Sequence, residues 1–389
     1  MPAAGTLPGG ARVAAGQASI SQSGSAMQIQ QASARAAIDW QSFSIGSAAS
    51  VTFNQPSASA IALNRVLGTD ASQIFGRLSA NGQVFLLNPN GILFARGAQV
   101  DVGGLLASTL GMQVDDFMAG RTTLRGDGAS GSILNQGALR ALPRGYVALI
   151  APAVANEGTI ETPRGTTALA AAGAATMSFL ADGLVQVRVD EGALSAEIAN
   201  RGAIRADGGA VLLTARARDS LGRAVVSTSG IVQARSVENV NGVIRLSGGE
   251  VRLEAGSVTS ASGVTGGSIS IESAAGLTQL AGTIEAKGEG GEGGAVTVNA
   301  DRLINSGLTD ASGAAGGSIA IEANRYLGAG TLKASGTAGD GGSVSLLAHE
   351  YIIQTSAESL AADGGASGRG GTVTVQAAER LFSSATFSA

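Results

Sequence analysis

Side chains that commonly perform catalysis are scarce in this sequence. It contains one histidine, His349, and no cysteine. A His-based triad needs an imidazole beside the nucleophile, and a zinc cluster needs several Cys or His ligands. We expect His349, which stands beside Glu350, to lie in a solvated turn. Histidine-based catalysis and Cys/His metal sites are therefore nearly excluded.

Carboxylate catalysis remains open as an alternative. Glycosidases use a pair of Asp or Glu side chains that flank the scissile bond. Here the acidic residues are scattered, mostly in segments that we predict to be turns: Asp207, Asp310, Asp340 and Asp363. We expect that the chain is not an enzyme, and a β-helical carbohydrate-active enzyme is the alternative from another functional class.

Glycine-rich segments raise the question of calcium or phosphate ligands. Residues 288–294 and 336–342 are rich in glycine, but they lack tandem nonapeptides with regularly spaced Asp. The phosphate-binding motif GxxxxGK[ST] does not occur. We therefore expect no cofactor and no metal.

Composition narrows the class of protein further. Of 389 residues, 59 are Gly and 7 are Pro, 14% are charged and 44% are hydrophobic. A disordered chain would be more charged and less apolar. The net charge of −4 and the absence of dense Lys/Arg runs argue against nucleic acid as a partner. No transmembrane segment of ~20 apolar residues is present.

The elements that would position any site follow from internal repeats. Gly-Gly pairs that precede alternating apolar residues begin every 23 to 29 residues, at Gly266, Gly293, Gly316, Gly341 and Gly370. In the first unit, period-two alternation places Ile269 and Ile271 on one face of a strand and Ser268 and Ser270 on the other.

A second family of repeats, Asn-x-Gly-x-apolar, begins at Asn135, Asn156 and Asn200. Periods of 20 to 30 residues indicate a solenoid. Helical repeats are disfavoured, because each glycine costs about 1 kcal/mol inside a helix. Short strands separated by Gly, Asn, Ser and Asp predict an all-β, single-stranded parallel β-helix, in which stacking of coils buries a continuous core.

The N-terminal half is less regular and predicts a β cap. Residues 16–30 alternate polar and small side chains, as a starting strand would. Trp40, the single tryptophan, together with Phe43 and Phe53, is expected to anchor the cap and core. Residues 105–121 are the best candidate for an excursion outside the coils.

The segment Asn88-Pro89-Asn90-Gly91 separates two apolar runs, 84–87 and 92–94. Pro at the second position pre-sets φ near −65°, and Asn at the first position and Gly at the fourth suit a type I turn. The segment therefore predicts a strand, a tight turn and a second strand.

This turn belongs to an ordered series of motifs. The series comprises 38–43 (IDWQSF), 51–56 (VTFNQP), 62–66 (ALNRV), which contains Asn64, 74–76 (IFG) and 80–92 (ANGQVFLLNPNGI). Together these motifs resemble the two-partner secretion domain of filamentous-haemagglutinin-type exoproteins of Gram-negative bacteria. The resemblance is dense over about residues 10–250, and the remainder resembles generic shaft repeats.

The resemblance implies a right-handed parallel β-helix with an N-terminal cap and small excursions. It implies a secretion domain at 1–250 and shaft repeats at 251–389. It also implies a partner, an outer-membrane β-barrel transporter with POTRA domains, and a route through the periplasm to the cell surface or the medium. The parent protein would be an adhesin that binds host receptors or glycans. The alternative within the family is the stalk of a contact-dependent toxin or a haemolysin.

For Asn88, Pro89, Asn90, Gly91 and Ile92, with Asn64, the resemblance implies recognition by the transporter before folding. Nucleation of folding is the other interpretation, and both remain open. The sequence departs from the family in lacking a signal peptide and a second motif, Asn-Pro-Asn-Leu. We therefore expect that Met1 is not the native start and that the shaft continues beyond Ala389.

Overall fold

Short strands that end at Gly, Asn, Ser or Asp turns wind into stacked coils. The computed structural model describes residues 1–126, 131–180, 184–219, 222–237 and 240–389. Two compact units are present. Unit 1 comprises Met1–Ala203 and Ala215–Arg223, and unit 2 comprises Ile204–Thr214 and Ala224–Ala389.

The first part of the chain contains one short helix, α1 (Val114–Met118), among its strands. The strands are β1 (Arg12–Ala15), β2 (Ala18–Ser23), β3 (Ala26–Gln31), β4 (Arg35–Trp40), β5 (Ser50–Asn54), β6 (Ile61–Val66), β7 (Ser72–Ile74), β8 (Arg77–Ala80), β9 (Gln83–Leu87), β10 (Ile92–Phe94), β11 (Gln99–Val102), β12 (Gly104–Ser108), β13 (Thr123–Arg125), β14 (Ser132–Asn135), β15 (Ala138–Ala141), β16 (Tyr146–Ala151), β17 (Ala153–Asn156), β18 (Thr159–Glu161), β19 (Thr166–Ala171), β20 (Ala174–Phe179), β21 (Val185–Glu191) and β22 (Ser195–Asn200).

The remaining strands continue in chain order. They are β23 (Ala203–Arg205), β24 (Ala210–Ala215), β25 (Arg223–Thr228), β26 (Ile231–Gln233), β27 (Val243–Gly248), β28 (Glu250–Leu253), β29 (Val258–Ser260), β30 (Ser268–Leu280), β31 (Thr283–Glu285), β32 (Ala295–Asn305), β33 (Leu308–Asp310), β34 (Ser318–Gly328), β35 (Thr331–Lys333), β36 (Ser343–Gln354), β37 (Ser359–Ala361), β38 (Thr372–Ala377), β39 (Arg380–Ser383) and β40 (Thr386–Ser388).

In unit 1 each coil contributes a strand to three faces, and strands on a face pair in parallel. The first face stacks β4, β6, β9, β12, β16 and β19. The second stacks β7, β10, β14, β17 and β22. The third stacks β3, β5, β8, β11, β15 and β18. These pairings confirm the parallel β-helix, and its right-handed winding is the sense that parallel crossovers adopt.

The cap and the excursions interrupt this parallel pattern. Strand β1 pairs antiparallel with β4, and β2 pairs antiparallel with β3, which covers the first coil. The predicted excursion, residues 105–121, contains α1, but residues 105–108 belong to the buried core strand β12, so the excursion begins later than predicted. Strand β13, which follows the predicted excursion, joins β20 and β21 in a three-stranded antiparallel sheet.

In unit 2 strands β27 and β28 both pair with one long strand, β30, and β30, β32, β34 and β36 each contain 11 to 13 residues. Ile269 and Ile271 are buried as predicted. Ile269 lies in register with Val296, which lies in register with Ile319 on the next coil. Full burial of each such side chain contributes about 1.5–3 kcal/mol, so the stack holds the coils together.

The Gly-Gly repeat has a steric cause. The backbones of successive coils approach closely at the second glycine of each pair. A Cβ at Gly294 would overlap the carbonyl oxygen of Gly267, and one at Gly317 would overlap that of Gly294. Glycine is required here because no other residue allows this approach.

A buried polar cluster lies in the core of unit 2. Asn305 Nδ2 donates to Tyr326 Oη over 3.3 Å, and Tyr326 Oη donates to the Glu358 carboxylate. A Cβ at Gly328 would overlap that carboxylate, so this glycine provides its space. Glu358 is 1% exposed, and burial raises its pKa above the ordinary value.

Two predictions about polar residues are wrong. His349 lies within strand β36 rather than in a turn, and its Nε2 lies 2.7 Å from Glu322 Oε1 on β34. Asp310 ends strand β33 and is 9% exposed. Its carboxylate accepts a hydrogen bond from the Ser312 amide over 2.9 Å. Pairing between the strands of successive coils sets the positions of both residues, and the local sequence does not determine this pairing.

Candidate functional site

The turn between β9 and β10 forms as predicted. The Gly91 amide donates to the Asn88 carbonyl over 3.1 Å, which closes a four-residue turn. Gly91 has φ of 117°, a value that other residues rarely adopt. Glycine therefore allows the chain to pass directly from the turn into β10.

Asn88 is fully buried, and its amide side chain connects the turn to the preceding loop. Its Nδ2 donates to the Asp70 carbonyl over 2.9 Å and to Ser72 Oγ over 3.0 Å. Its Oδ1 accepts the Asn90 backbone amide over 3.0 Å. Every side-chain atom that can form a hydrogen bond has a partner, so the turn is fixed from both sides.

The turn also contacts later coils. The backbone amide of Asn88 donates to the Ser108 carbonyl over 2.9 Å, and the backbone amide of Gly131 donates to the Pro89 carbonyl over 2.7 Å. Ile92, 2% exposed, pairs with Ser72 and Ile133 on the neighbouring coils. Asn90 is exposed, and its Nδ2 donates to the Gly68 carbonyl over 2.9 Å.

Asn64 lies in a second buried cluster, away from the hydrogen bonds of the turn. Its Oδ1 accepts Trp40 Nε1 over 3.0 Å, and its Nδ2 donates to the Phe85 carbonyl over 3.2 Å. The Trp40 and Phe43 rings pack edge to face with centroids 5.3 Å apart. Phe53 is 1% exposed in β5. The cluster spans the first three coils after the cap.

Asp39 and Ser72 are buried polar residues that the sequence analysis missed. Asp39 is 2% exposed; its carboxylate accepts Arg12 Nη2 over 2.7 Å and Arg65 Nη2 over 2.6 Å. This arrangement ties cap strand β1 to the coil that contains β6. In the sequence, the position of Asp39 between the apolar residues Ile38 and Trp40 was an available signal. Both of these neighbours are fully buried. Nothing in the local sequence marks Ser72.

The chemistry of this region is hydrogen bonding between amides, hydroxyls and backbone groups. Among the described residues no group of three or more His, Cys, Asp or Glu side chains is arranged to hold a metal ion. Within the same ranges, no helix has the length and apolarity that spanning a lipid bilayer requires.

Comparison with known families identifies the domain to which these motifs belong. Residues 4–271 match the family model of the TPS secretion domain, where TPS denotes two-partner secretion. The chain belongs to this family. The match includes the cap, the turn at Asn88 and the Trp40 cluster. The proposed domain boundary at residue 250 remains a prediction.

Relatives of this TPS secretion domain include two heme/hemopexin-binding proteins of Haemophilus influenzae. One, from strain Rd, is 35% identical over 255 residues, which cover 64% of this chain and 28% of the relative. The other is 54% identical over 83 residues, 21% of this chain and 9% of the relative. The aligned segments therefore span less than a third of these relatives.

A solved structure supports the fold. The HMW1 secretion domain of Haemophilus influenzae superposes with a TM-score of 0.75 at 23% identity, over 98% of each chain. At this identity the similarity shows the fold alone, a β-helix.

Proposed function

We propose that this TPS secretion domain delivers its parent exoprotein to a partner transporter, an outer-membrane β-barrel with periplasmic POTRA domains. The parent crosses the periplasm of a Gram-negative bacterium and reaches the cell surface or the medium. The domain then nucleates the β-helix outside the cell. Membership of the TPS family supports the first step.

The burial of Asn88 carries the proposal. Its side chain is 0% exposed and is hydrogen-bonded to Asp70 and Ser72 once the coils stack. A transporter that reads this amide must therefore meet it before the turn packs against residues 70–72. Asn64 is equally buried. Recognition of these residues thus belongs to the unfolded or extended chain.

The coils suit sequential folding after passage through a narrow pore. Each strand on a face pairs with the strand of the preceding coil, usually 15 to 45 residues earlier in the chain. The chain has no cysteine, so no internal disulfide can obstruct threading. Folding of one coil provides the template for the next, which gives the translocating chain a direction.

A secretion assay tests the proposal. The chain, preceded by a signal peptide, is expressed with and without its partner transporter, and the protein in the medium is quantified. Release that requires the transporter and is lost in Asn88→Ala supports it. Gln28→Ala, an exposed amide on β3, is the matched control and keeps normal release. Release without the transporter, or periplasmic retention despite it, contradicts the proposal.

Recognition and nucleation are separated by two further measurements on Asn88→Ala. If the residue is read directly, the urea-unfolded variant loses affinity for the isolated POTRA domains. If the residue nucleates folding, POTRA affinity is unchanged and refolding from urea slows. Parallel measurements on Asn90→Ala compare an exposed turn amide with the buried one.

The activity of the parent is a separate proposal. We propose adhesion or ligand binding by regions of the parent beyond the secretion domain, with no catalytic role for this chain. The names of the two relatives favour heme or hemopexin as the ligand class. Binding of heme or hemopexin by the full-length parent, and its absence in this chain alone, is the expected result.

A further inference from the structure

A groove runs across successive coils of unit 2, beside the residues of the long strands that line it. It has a volume of about 530 Å³. Its floor consists of glycine and small side chains in register on four successive strands: Gly248, Ser273, Ala300 and Ala323. Three intervals of ~4.8 Å give this floor a length of roughly 14 Å.

Hydrogen-bonding side chains form both walls. The first wall places Glu272, Asn299 and Glu322 in register on consecutive strands. All three are exposed. Each wall position thus repeats at the strand spacing of ~4.8 Å and offers a carboxylate or an amide to a ligand above the floor.

The second wall contains Asp301, Asn324 and His349. Asn324 Nδ2 donates to Asp301 Oδ1 over 2.9 Å, which aligns the two side chains along the wall. His349 Nε2 lies 2.7 Å from Glu322 Oε1, so this pair joins the two walls near one end. Within the described ranges the side-chain amide of Asn299 makes no hydrogen bond, so it is available to a ligand.

The charge of the groove selects among extended ligands. Glu272, Asp301 and Glu322 are acidic; Asp301 lies 3.7 Å from Arg302, and the described residues that line the groove include no Lys or Arg. An acidic polymer would be repelled, whereas hydroxyl groups can donate to these carboxylates and accept from the amides. We propose that this groove binds a linear oligosaccharide of neutral or amino sugars, whose monomers repeat at a spacing similar to that of the strands.

Calorimetric titration of the whole chain tests this proposal with four named probes: cellohexaose, a chitosan hexamer, a heparin hexasaccharide and hexalysine. Saturable binding of cellohexaose or the chitosan hexamer, with no heparin binding, is the expected result. Asn299→Ala combined with Asn324→Ala is expected to weaken that binding at least ten-fold. Gln28→Ala, in unit 1, is the control and leaves the affinity unchanged.

Three outcomes overturn the proposal. They are no binding of either uncharged or amino hexasaccharide, equal binding of the heparin hexasaccharide, and binding of hexalysine alone, which would mark the groove as a peptide site. Circular dichroism of the double variant checks that its coils are intact. Because the probes are added to folded protein, the result does not depend on the secretion assay.

Discussion

Trp40 Nε1 donates a hydrogen bond to Asn64 Oδ1 over 3.0 Å, and both residues are fully buried on adjacent coils. Asn64 Nδ2 continues to the Phe85 carbonyl on the third coil. One amide therefore accepts from the buried Trp40 indole N–H and donates to the backbone of the next coil. Such a residue stabilises the stack in a way that an apolar side chain cannot replace.

Asn64→Ala is expected to destabilise unit 1 strongly. It leaves the buried Trp40 indole N–H without its acceptor, at a cost of about 1–3 kcal/mol, and removes one donor from the Phe85 carbonyl. Urea unfolding followed by fluorescence of the single tryptophan measures the change in the free energy of unfolding. Gln28→Ala, which is exposed, should stay within about 0.5 kcal/mol. Equal stability of the two variants would refute the role of the amide.

Asn88→Ala and Asn90→Ala are expected to differ, although the residues are two positions apart. Asn88→Ala removes hydrogen bonds to Asp70 and Ser72 inside the protein and should lower the free energy of unfolding by about 2–3 kcal/mol. Asn90→Ala removes two hydrogen bonds of an exposed side chain, from Nδ2 to the Gly68 carbonyl and to Asn88 Oδ1, and should cost about 1 kcal/mol. Chemical unfolding of both variants checks the order. A larger loss for Asn90→Ala would contradict the burial argument.

Gly294→Ala is expected to lower the free energy of unfolding by about 3 kcal/mol, because its Cβ would overlap the backbone of Gly266 and Gly267. Gly290 is the matched control, since a Cβ there meets no atom within 4 Å. Gly290→Ala should therefore be neutral or slightly stabilising. Thermal unfolding of the two variants makes the comparison, and similar midpoints would exclude close coil contact as the cause of the repeat.

The stability contributed by Glu358 is expected to fall as pH rises. Burial raises the pKa of Glu358 in the folded state, so above the unfolded value of about 4.3 the folded protein holds a proton that the unfolded chain has lost. The resulting loss of stability grows with pH until the pH passes the pKa of Glu358 in the folded state. Glu358→Gln removes this dependence, so the variant should gain stability relative to the parent chain as the pH rises above about 4.3.

Urea midpoints across this pH range test the prediction for Glu358. Glu379→Gln, at an exposed position, should leave the pH profile unchanged. A constant difference between Glu358→Gln and the parent chain at all pH values would show that the carboxyl does not titrate differently on folding.

The sequence predicted the features whose causes are local. The Asn88–Gly91 turn, the buried pair Ile269 and Ile271, and an excursion near α1 all follow from turn chemistry and strand periodicity. The same reasoning placed His349 and Asp310 in turns, whereas each lies in a strand that pairs with neighbouring coils. It had no means to pair β13 with β20, which lie about 50 residues apart.

The sequence alone determined a stacked β-coil architecture, since repeats of 20 to 30 residues with alternating apolar side chains can bury their inner faces only by stacking. Tertiary structure decided which polar groups meet. Asn64 with Trp40, Asn88 with Ser72, and Tyr326 with Glu358 are separated by 24, 16 and 32 residues. Such contacts depend on the register between coils and on small residues such as Gly328 that leave space for them, and these are set only when the coils pack.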